Sequence, residues 1–492
     1  MRDREPVLCP FIAHSWPRVY LFCGDFWLLC ILFGLSMRVN FLTVGCKLNN
    51  CETEVLERHF SRAGWDVVSR EEPSDVTVVN TCTVTARSDA DCRKLIRRAK
   101  AMNPAGKVVV TGCLAERTPD ALAGMPEVAA VIGNSAKKNL LSIVTGELQK
   151  ASGGVIASED PDGPGFLPLS PLIEPLSATR TRATVQVQDG CDEHCTYCIV
   201  PRVRGRSRSR PITDIVAETE NLVASGSREI ALTGVNTGAW GGDLGAEGGI
   251  AAVVDAILRV QTPSGRRVER LRLNSLEPQA ITPGLVRRCA TEPRVCRHFH
   301  VPLQSGSDAI LRKMNRRYTA AEYAQKIELI AGNIPDAAIG ADVMVGFPGE
   351  TDEQFCETFE LVQRLPLTYL HVFAFSPREG TPALRLGPAI SSERKHERSR
   401  ALRELGNRKR LEFHLRHVGN VVTVLLEGKP ATAATVLRGL TDNYIRVSVR
   451  APSNRINTFV PVYVEDASRD GARGVLVDER SASFSTARGS QE

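Results

Sequence analysis

The sequence predicts an α/β protein of three folded parts: an N-terminal doubly wound parallel-sheet domain, a central open (β/α)6 barrel and a small C-terminal β-barrel. Three observations predict it. Short apolar runs, each followed by a helical pattern, recur from residue 38 to about 375, which is how parallel strands with helical crossovers read. A stretch rich in Gly, Pro, Ser and Asp at 146–177 divides these units into two groups. After Gly419 the pattern changes to short strands separated by turn-rich pieces such as Thr441-Asp442-Asn443.

The composition bounds the function. With 492 residues, 42% of them hydrophobic and 24% charged, the chain reads as an ordinary soluble multidomain protein. Fourteen cysteines are too sparse for a disulfide scaffold, and clusters of them in a cytoplasmic chain indicate metal ligation or redox chemistry. Residues 1–36 do not match the rest. Their apolar run from Tyr20 to Leu35 is interrupted by Asp25, falls short of the roughly 20 residues a spanning helix needs, and has no small-residue cleavage site after it. The preferred reading is a start at Met37, with a peripheral membrane anchor as the alternative; Cys9, Cys23 and Cys30 carry no assigned chemistry.

In the N-terminal domain (38–145), strands are expected at 39–44, 76–80 and 107–111, with helices at 52–62 and 88–102. Each strand runs into a cysteine: Cys46 in Gly45-Cys46-Lys47-Leu48-Asn49, Cys82 in Thr81-Cys82-Thr83, and Cys113 in Gly112-Cys113-Leu114. Function collects at the carboxyl ends of parallel strands. The three thiols, far apart in sequence, are therefore expected to converge as ligands of a [4Fe-4S] cluster rather than to be scattered buried hydrophobes. Cys51 and Cys92 fall on helices and are left out.

The barrel (178–390) opens with a strand at 183–188, followed at once by Gly190-Cys191-Asp192-Glu193-His194-Cys195-Thr196-Tyr197-Cys198. Three thiolates at C-x3-C-x2-C spacing can hold three irons of a [4Fe-4S] cluster and leave the fourth open to a small ligand. A zinc site would want a second ligand pair, which is not nearby, and His194 is awkwardly placed beside Cys195. The loop resembles that of radical S-adenosylmethionine (SAM) enzymes, in which an aromatic such as Tyr197 precedes the last cysteine. Further strands are expected at 229–235, 270–275, 298–302, 338–345 and 369–375, with helices near 212–225, 250–260, 283–290, 321–331 and 352–364. Their ends carry Thr233, Gly234, Ser275, Glu277, Gln304 and Gly346, read together as a SAM pocket because glycine admits close approach and the polar groups suit a ribose or an amino acid.

Then comes a basic helix, 391–417, whose part from Arg394 to His417 has nine Lys/Arg against three Asp/Glu. With the alternating Arg202, Arg204, Arg206, Arg208 and Arg210, it is read as facing a polyanion. Residues 418–480 form the small barrel, with strands expected at 421–426, 433–437, 445–449 and 459–464, and 481–492 read as a disordered tail.

Over about residues 38–480 the order of Cys46, Cys82 and Cys113, the radical-SAM loop and a C-terminal barrel like the TRAM RNA-binding domain resembles the methylthiotransferases. Gly45-Cys46-Lys47-Leu48-Asn49, Ala231-Leu232-Thr233-Gly234-Val235 and Asn274-Ser275-Leu276-Glu277-Pro278 are most similar to those acting on threonylcarbamoyladenosine in tRNA, although Asn50-Cys51 replaces the usual Gln-Ala. The resemblance implies that a methylthio group is added to C2 of the modified adenosine beside the anticodon. Cys191, Cys195 and Cys198 would carry the SAM-cleaving cluster, and Cys46, Cys82 and Cys113 an auxiliary one. It also implies two SAM molecules, a tRNA substrate, an electron donor such as flavodoxin or ferredoxin, a sulfur source and a cytoplasmic location. The alternatives are the same chemistry on isopentenyladenosine or on a ribosomal protein aspartate, and a non-catalytic RNA-binding iron–sulfur protein.

Overall fold

The computed structural model describes residues 36–146, 155–160, 162, 166–167, 181–428 and 435–477. The extension before Ser36, with Cys9, Cys23 and Cys30, most of the stretch read as a linker, and the tail 481–492 lie outside them. Among the described residues no helix is long and apolar enough to cross a membrane.

The N-terminal domain is one parallel sheet built from β1 (Arg38–Thr43), β2 (Asp66–Val67), β3 (Val76–Thr81), β4 (Lys107–Gly112), β5 (Val128–Ile132) and β6 (Val155–Ala157) in the order β2-β1-β3-β4-β5-β6. Every residue of central β3 is buried, as a strand covered on both faces requires. On one face α1 (Lys47–Arg62) packs Leu56 and Phe60 against Val39, Val78 and Val109. On the other, α2 (Ala86–Met102), started by a Thr85–Ser88 capping box, packs Ile96 and Ala99 against Val79, Val108 and Val110. Helix α1 begins before the 52–62 read from sequence because Leu48 and Cys51 continue its buried stripe. Strand β6 arises from the stretch read as linker and extends the sheet beyond β5. A short helix, α3 (Cys113–Arg117), leaves the end of β4.

Six parallel strands build the open barrel: β7 (Arg182–Gln186), β8 (Glu229–Thr233), β9 (Arg270–Arg272), β10 (His298–His300), β11 (Ala338–Val345) and β12 (Tyr369–Ala374). They pair as β9-β8-β7 and β10-β11-β12, and the two groups are linked by the Leu271–Val295 bridge just before β10 and by Leu276 N–H donating to His300 O. The largest core of the molecule lies between these strands and their helices, where Val185, Leu232, Leu271, Phe299 and Val343 meet Ile257, Leu285, Ile327 and Val362. The cluster loop follows β7, and its last cysteine leads directly into α4 (Val200–Arg204).

Helix α5 (Ser392–Leu415) inserts Leu402 and Leu405 into the barrel core. Much of its charge is spent on that docking: Arg398 is buried against Glu350 at 2.5 Å, Lys409 donates to the Gln363 and Leu365 carbonyls, and Arg403 donates to Val372 O. The closed C-terminal barrel comprises β13 (Val421–Glu427), β14 (Thr435–Leu440), β15 (Arg446–Ala451), β16 (Phe459–Ser468) and β17 (Gly471–Leu476), in the order β13-β14-β15-β17-β16. Strand β17, whose Gly-Ala-Arg-Gly start hid it from sequence reading, closes the barrel by pairing with both β15 and β16.

Buried ionic seams join the parts, and two of them border the site. At the first, Arg204 of α4 donates to Glu52 of α1 at 2.8 Å, to Asp189 at 2.9 Å and to Asn49 at 2.8 Å, while Lys137 meets Glu52 at 2.6 Å. At the second, Arg272 binds Glu229 through two hydrogen bonds and donates to the carbonyls of Thr441 at 3.0 Å and Asp442 at 3.1 Å in the β14–β15 turn. That turn lays Tyr444 on His298, ring centroids 4.2 Å apart, so the C-terminal barrel contributes to the lining of the central one.

Breaking a buried ion pair from one side costs about 3–5 kcal/mol because the partner stays charged and dry. Arg272→Met, which leaves buried Glu229 only the longer 3.6 Å contact to Arg270, is therefore expected to lower the melting temperature in thermal unfolding. At the other seam, burial alone would raise the Glu52 carboxyl, but Arg204 and Lys137 outweigh it and hold the pKa down to about 2, from an ordinary 4.5. Since the folded value is depressed, the stabilisation is complete above 4.5 and is lost as pH falls toward 2. Melting curves of wild type and Glu52→Gln should differ most at neutral pH and converge as the pH falls below that ordinary value.

Candidate active site

The three strand-end cysteines of the N-terminal domain are brought together. Cys46 is the residue before α1, Cys82 follows β3 and Cys113 opens α3. Two glycines make the approach possible. A Cβ on Gly45 (φ +127°) would stand 2.8 Å from the Cβ of Cys82, and one on Gly112 (φ +99°) would collide with the Thr81 carbonyl. Burial raises the Cys46 and Cys82 thiols, and each also feels the charge of Cys113, an environment in which a bound metal would favour the thiolates. Cys46 as a residue is nonetheless exposed to solvent. Cys51 points elsewhere, its Sγ donating to Thr184 O at 3.5 Å, and Cys92 lies behind Cys82, bonded to its backbone N–H and C=O at 3.4 Å.

The second trio forms the same kind of site. Burial pushes the Cys191 and Cys198 thiols up to about 12, with Cys195 adding its repulsion to both. Arg316 lies against this loop: its Nη1 donates to Cys195 Sγ at 3.3 Å, its Nε to the Tyr318 hydroxyl at 3.0 Å, and its other Nη pairs with Glu277. Thr196 donates to Lys313 O at 2.8 Å and Asn315 to His194 O at 3.1 Å, so segment 313–318 holds the loop in shape. Tyr197 packs on the apolar group of Met344, Phe347 and Phe375.

The two trios are neighbours. Cys113 rests on Ile199 and Val203 at the end of the radical-SAM loop, and the Asn134 amide donates both to Cys113 Sγ at 3.2 Å and to Val203 O at 3.1 Å. Arg204, one residue on, is close enough to offset charge at Cys46 and Cys82. Sequence reading took the alternating arginines as a polyanion face. The structure buries Arg204 and Arg210 in ion pairs, the latter with Glu218 at 2.5 Å, half-buries Arg208, and leaves Arg202 and Arg206 exposed.

The strand-end residues lie on the rim above the barrel. Ser275 (φ +52°) and Gln304 (φ +65°) hold left-handed backbone that costs a non-glycine residue about 1–3 kcal/mol, a cost that clusters at ligand sites. The Gln304 Oε1 is buried without a hydrogen-bond partner, an orphan acceptor that suits an absent amine or hydroxyl. Burial raises the Glu277 carboxyl even against the pull of Arg316. Thr233 is buried at the end of β8, Gly234 faces Gln188, and Gly346 faces the Lys395 side chain of α5.

Below the rim the lumen is polar. His300 and His371 flank Asp342 at 2.9 and 3.2 Å, and Lys47 enters from the N-terminal domain to donate to Asn274 Oδ1 at 2.7 Å. Neither Arg316 nor Tyr444 was singled out from sequence. The signal for the first was the basic pair Arg316-Arg317 just after a short helix; the second had none.

Residues 38–133 match the family described as uncharacterized protein family UPF0004, and residues 185–362 match the radical SAM superfamily. The chain is 36% identical over 414 residues to the threonylcarbamoyladenosine tRNA methylthiotransferase MtaB of Aquifex aeolicus, covering 84% of this chain and 96% of that protein. Its identity to the MtaB of Bacillus subtilis is 33%, covering 89% and 96%. To the tRNA-2-methylthio-N(6)-dimethylallyladenosine synthase of Pelotomaculum thermopropionicum it is 32%, covering 88% and 96%. Among solved structures, the radical SAM methyltransferase TsrM of Kitasatospora setae shares the fold at a TM-score of 0.50 and 16% identity, over 71% of this chain and 77% of that one. With matches at 33–36% identity over nearly the whole length of the MtaB relatives, the chain belongs to the radical SAM methylthiotransferases of the MtaB type.

Proposed function

We propose that this chain adds a methylthio group to C2 of N6-threonylcarbamoyladenosine beside the tRNA anticodon, using two [4Fe-4S] clusters and SAM. The observation that carries the reading is the meeting of two three-cysteine sites from separate domains, with Cys113 resting on Ile199 and Val203 next to Cys198. Cys191, Cys195 and Cys198 would hold the first cluster, and Cys46, Cys82 and Cys113 the auxiliary one. When bound, the first would pass on the electron that cleaves SAM and the second would hold the donated sulfur before its transfer.

The residues around them have separate tasks. Arg316 donates to Cys195 and so favours its ionised form, while its pairing with Glu277 fixes both groups at the rim. The unpaired Gln304 oxygen and the Ser275 turn would receive the polar groups of SAM, and Tyr197 keeps the loop packed. Thr233, Gly234 and Gly346 complete the rim as backbone that a nucleoside can approach. Asn134 and Arg204 orient and electrostatically support the auxiliary thiolates.

An RNA substrate is favoured over a protein by the outer face of the C-terminal barrel. Arg438, Arg446 and Arg450 are exposed on the paired strands β14 and β15 beside the exposed Val436, a basic face suited to phosphates. An adenine extruded from the anticodon loop would enter the lumen between the two trios. A flavodoxin or ferredoxin would deliver electrons, a separate donor the sulfur, and the reaction would run in the cytoplasm.

Two variants separate the roles of the clusters. With dithionite as reductant, Cys191→Ala should reduce SAM cleavage to 5′-deoxyadenosine to background. Cys113→Ala should still cleave SAM but yield no methylthiolated RNA. Equal loss of both activities in both variants would sink the division of labour.

A further inference from the structure

Lys47 crosses between two domains. It directly follows Cys46, yet its side chain leaves the N-terminal domain and reaches into the barrel, with Nζ 2.7 Å from Asn274 Oδ1 and 5.7 Å from the centroid of the Tyr444 ring. Asn274 is itself fixed, because its amide nitrogen donates to Leu232 O at 2.8 Å and leaves the oxygen facing Lys47. One cation therefore stands on a neutral acceptor from the barrel and an aromatic from the C-terminal domain.

What Lys47 lacks is a counter-ion. The nearby cations all have theirs: Arg272 and Arg270 share Glu229, and Arg182 is paired with Glu427. No carboxylate of the described residues pairs with Lys47, and across the lumen Asp342 is taken by His300 and His371. Lys47 as a residue is exposed while its bond to Asn274 is partly buried, so the side chain is not sealed in the packed core. An unpaired cation in a partly dry cavity attracts an anion strongly.

The relatives described above act on adenosines whose N6 groups differ in this property. Threonylcarbamoyl ends in a carboxylate, whereas dimethylallyl is a neutral hydrocarbon. We propose that Lys47 is a specificity-determining residue whose ammonium receives the carboxylate of the N6 substituent, with the Tyr444 ring as the wall beside it. This rests on the function proposed above. Because Lys47 adjoins Cys46, a substituent anchored there holds its base at the mouth of the auxiliary site, and a neutral substituent would leave the ammonium unpaired. Lys47 thus both selects the substrate and positions it.

The test is equilibrium binding of anticodon stem–loop RNAs to the full chain, without SAM, followed by turnover with both clusters in place. Three RNAs are compared, identical except at N6: threonylcarbamoyl, the same group with its carboxylate as a primary amide, and dimethylallyl. Loss of a charge-assisted hydrogen bond is worth about tenfold or more in affinity. Wild-type protein should prefer the carboxylate RNA over its amide by that factor, a comparison needing no variant. Lys47→Met should bind the two alike, raising KM for the carboxylate RNA more than it lowers kcat, and Lys47→Arg should restore much of the preference. Equal binding of carboxylate and amide by wild type, or an unchanged preference in Lys47→Met, would overturn the assignment. If wild type instead methylthiolates the dimethylallyl RNA and not the threonylcarbamoyl one, the proposed substrate fails, whatever Lys47 does.

Discussion

The buried guanidinium of Arg204 is the interaction on which the rest of the molecule depends. It lies within one short helix of Cys198, binds Glu52 and Asp189, and reaches Asn49 in the first turn of α1, three residues after Cys46. A desolvated cation of this kind is tolerated only if its partners are in place. The N-terminal domain can therefore dock on the barrel in essentially one way, and that way sets Cys113 on Ile199 and Val203. The same charge tempers the mutual repulsion of the auxiliary thiolates. One ion cluster thus couples domain packing to the spacing of the two cysteine trios.

The lumen has a similar logic. Its walls come from the barrel strands, one residue, Lys47, comes from the N-terminal domain, and the Tyr444 ring comes from the C-terminal barrel. The second seam, built on Arg272 and Glu229, fixes the turn that carries Tyr444. The C-terminal barrel thus also lines the central lumen, so under the proposed function the domain with the exposed basic face and the lumen would act on one RNA together. The basic helix α5 contributes less to an RNA surface than its composition suggests, because Arg398, Arg403 and Lys409 serve to fasten it.

Much of this was legible in the sequence, for reasons that can be named. Parallel strands covered on both faces read as unbroken apolar runs, so β3 and β4 and their cysteines were visible, and the barrel followed from the same rule. The C-x3-C-x2-C loop is dense enough in ligands to declare its chemistry. What escaped detection depends on contacts between distant parts of the chain. Arginines spaced two apart read as solvated charge, and nothing local says that Arg204 meets Glu52. Lys47 and Asn274 are 227 residues apart in the chain, and Tyr444 is further still. Arg316 sits beyond the loop it supports, in a segment with no repeating pattern. Strand β17 was missed because two glycines in its first four residues read as turn.

The most direct test of the central claim is mass spectrometry of tRNA nucleosides from cells with and without this gene. Loss of 2-methylthio-N6-threonylcarbamoyladenosine, with its unmethylthiolated precursor accumulating, is the predicted result. An unchanged level of the methylthiolated nucleoside in cells lacking the gene would contradict the account.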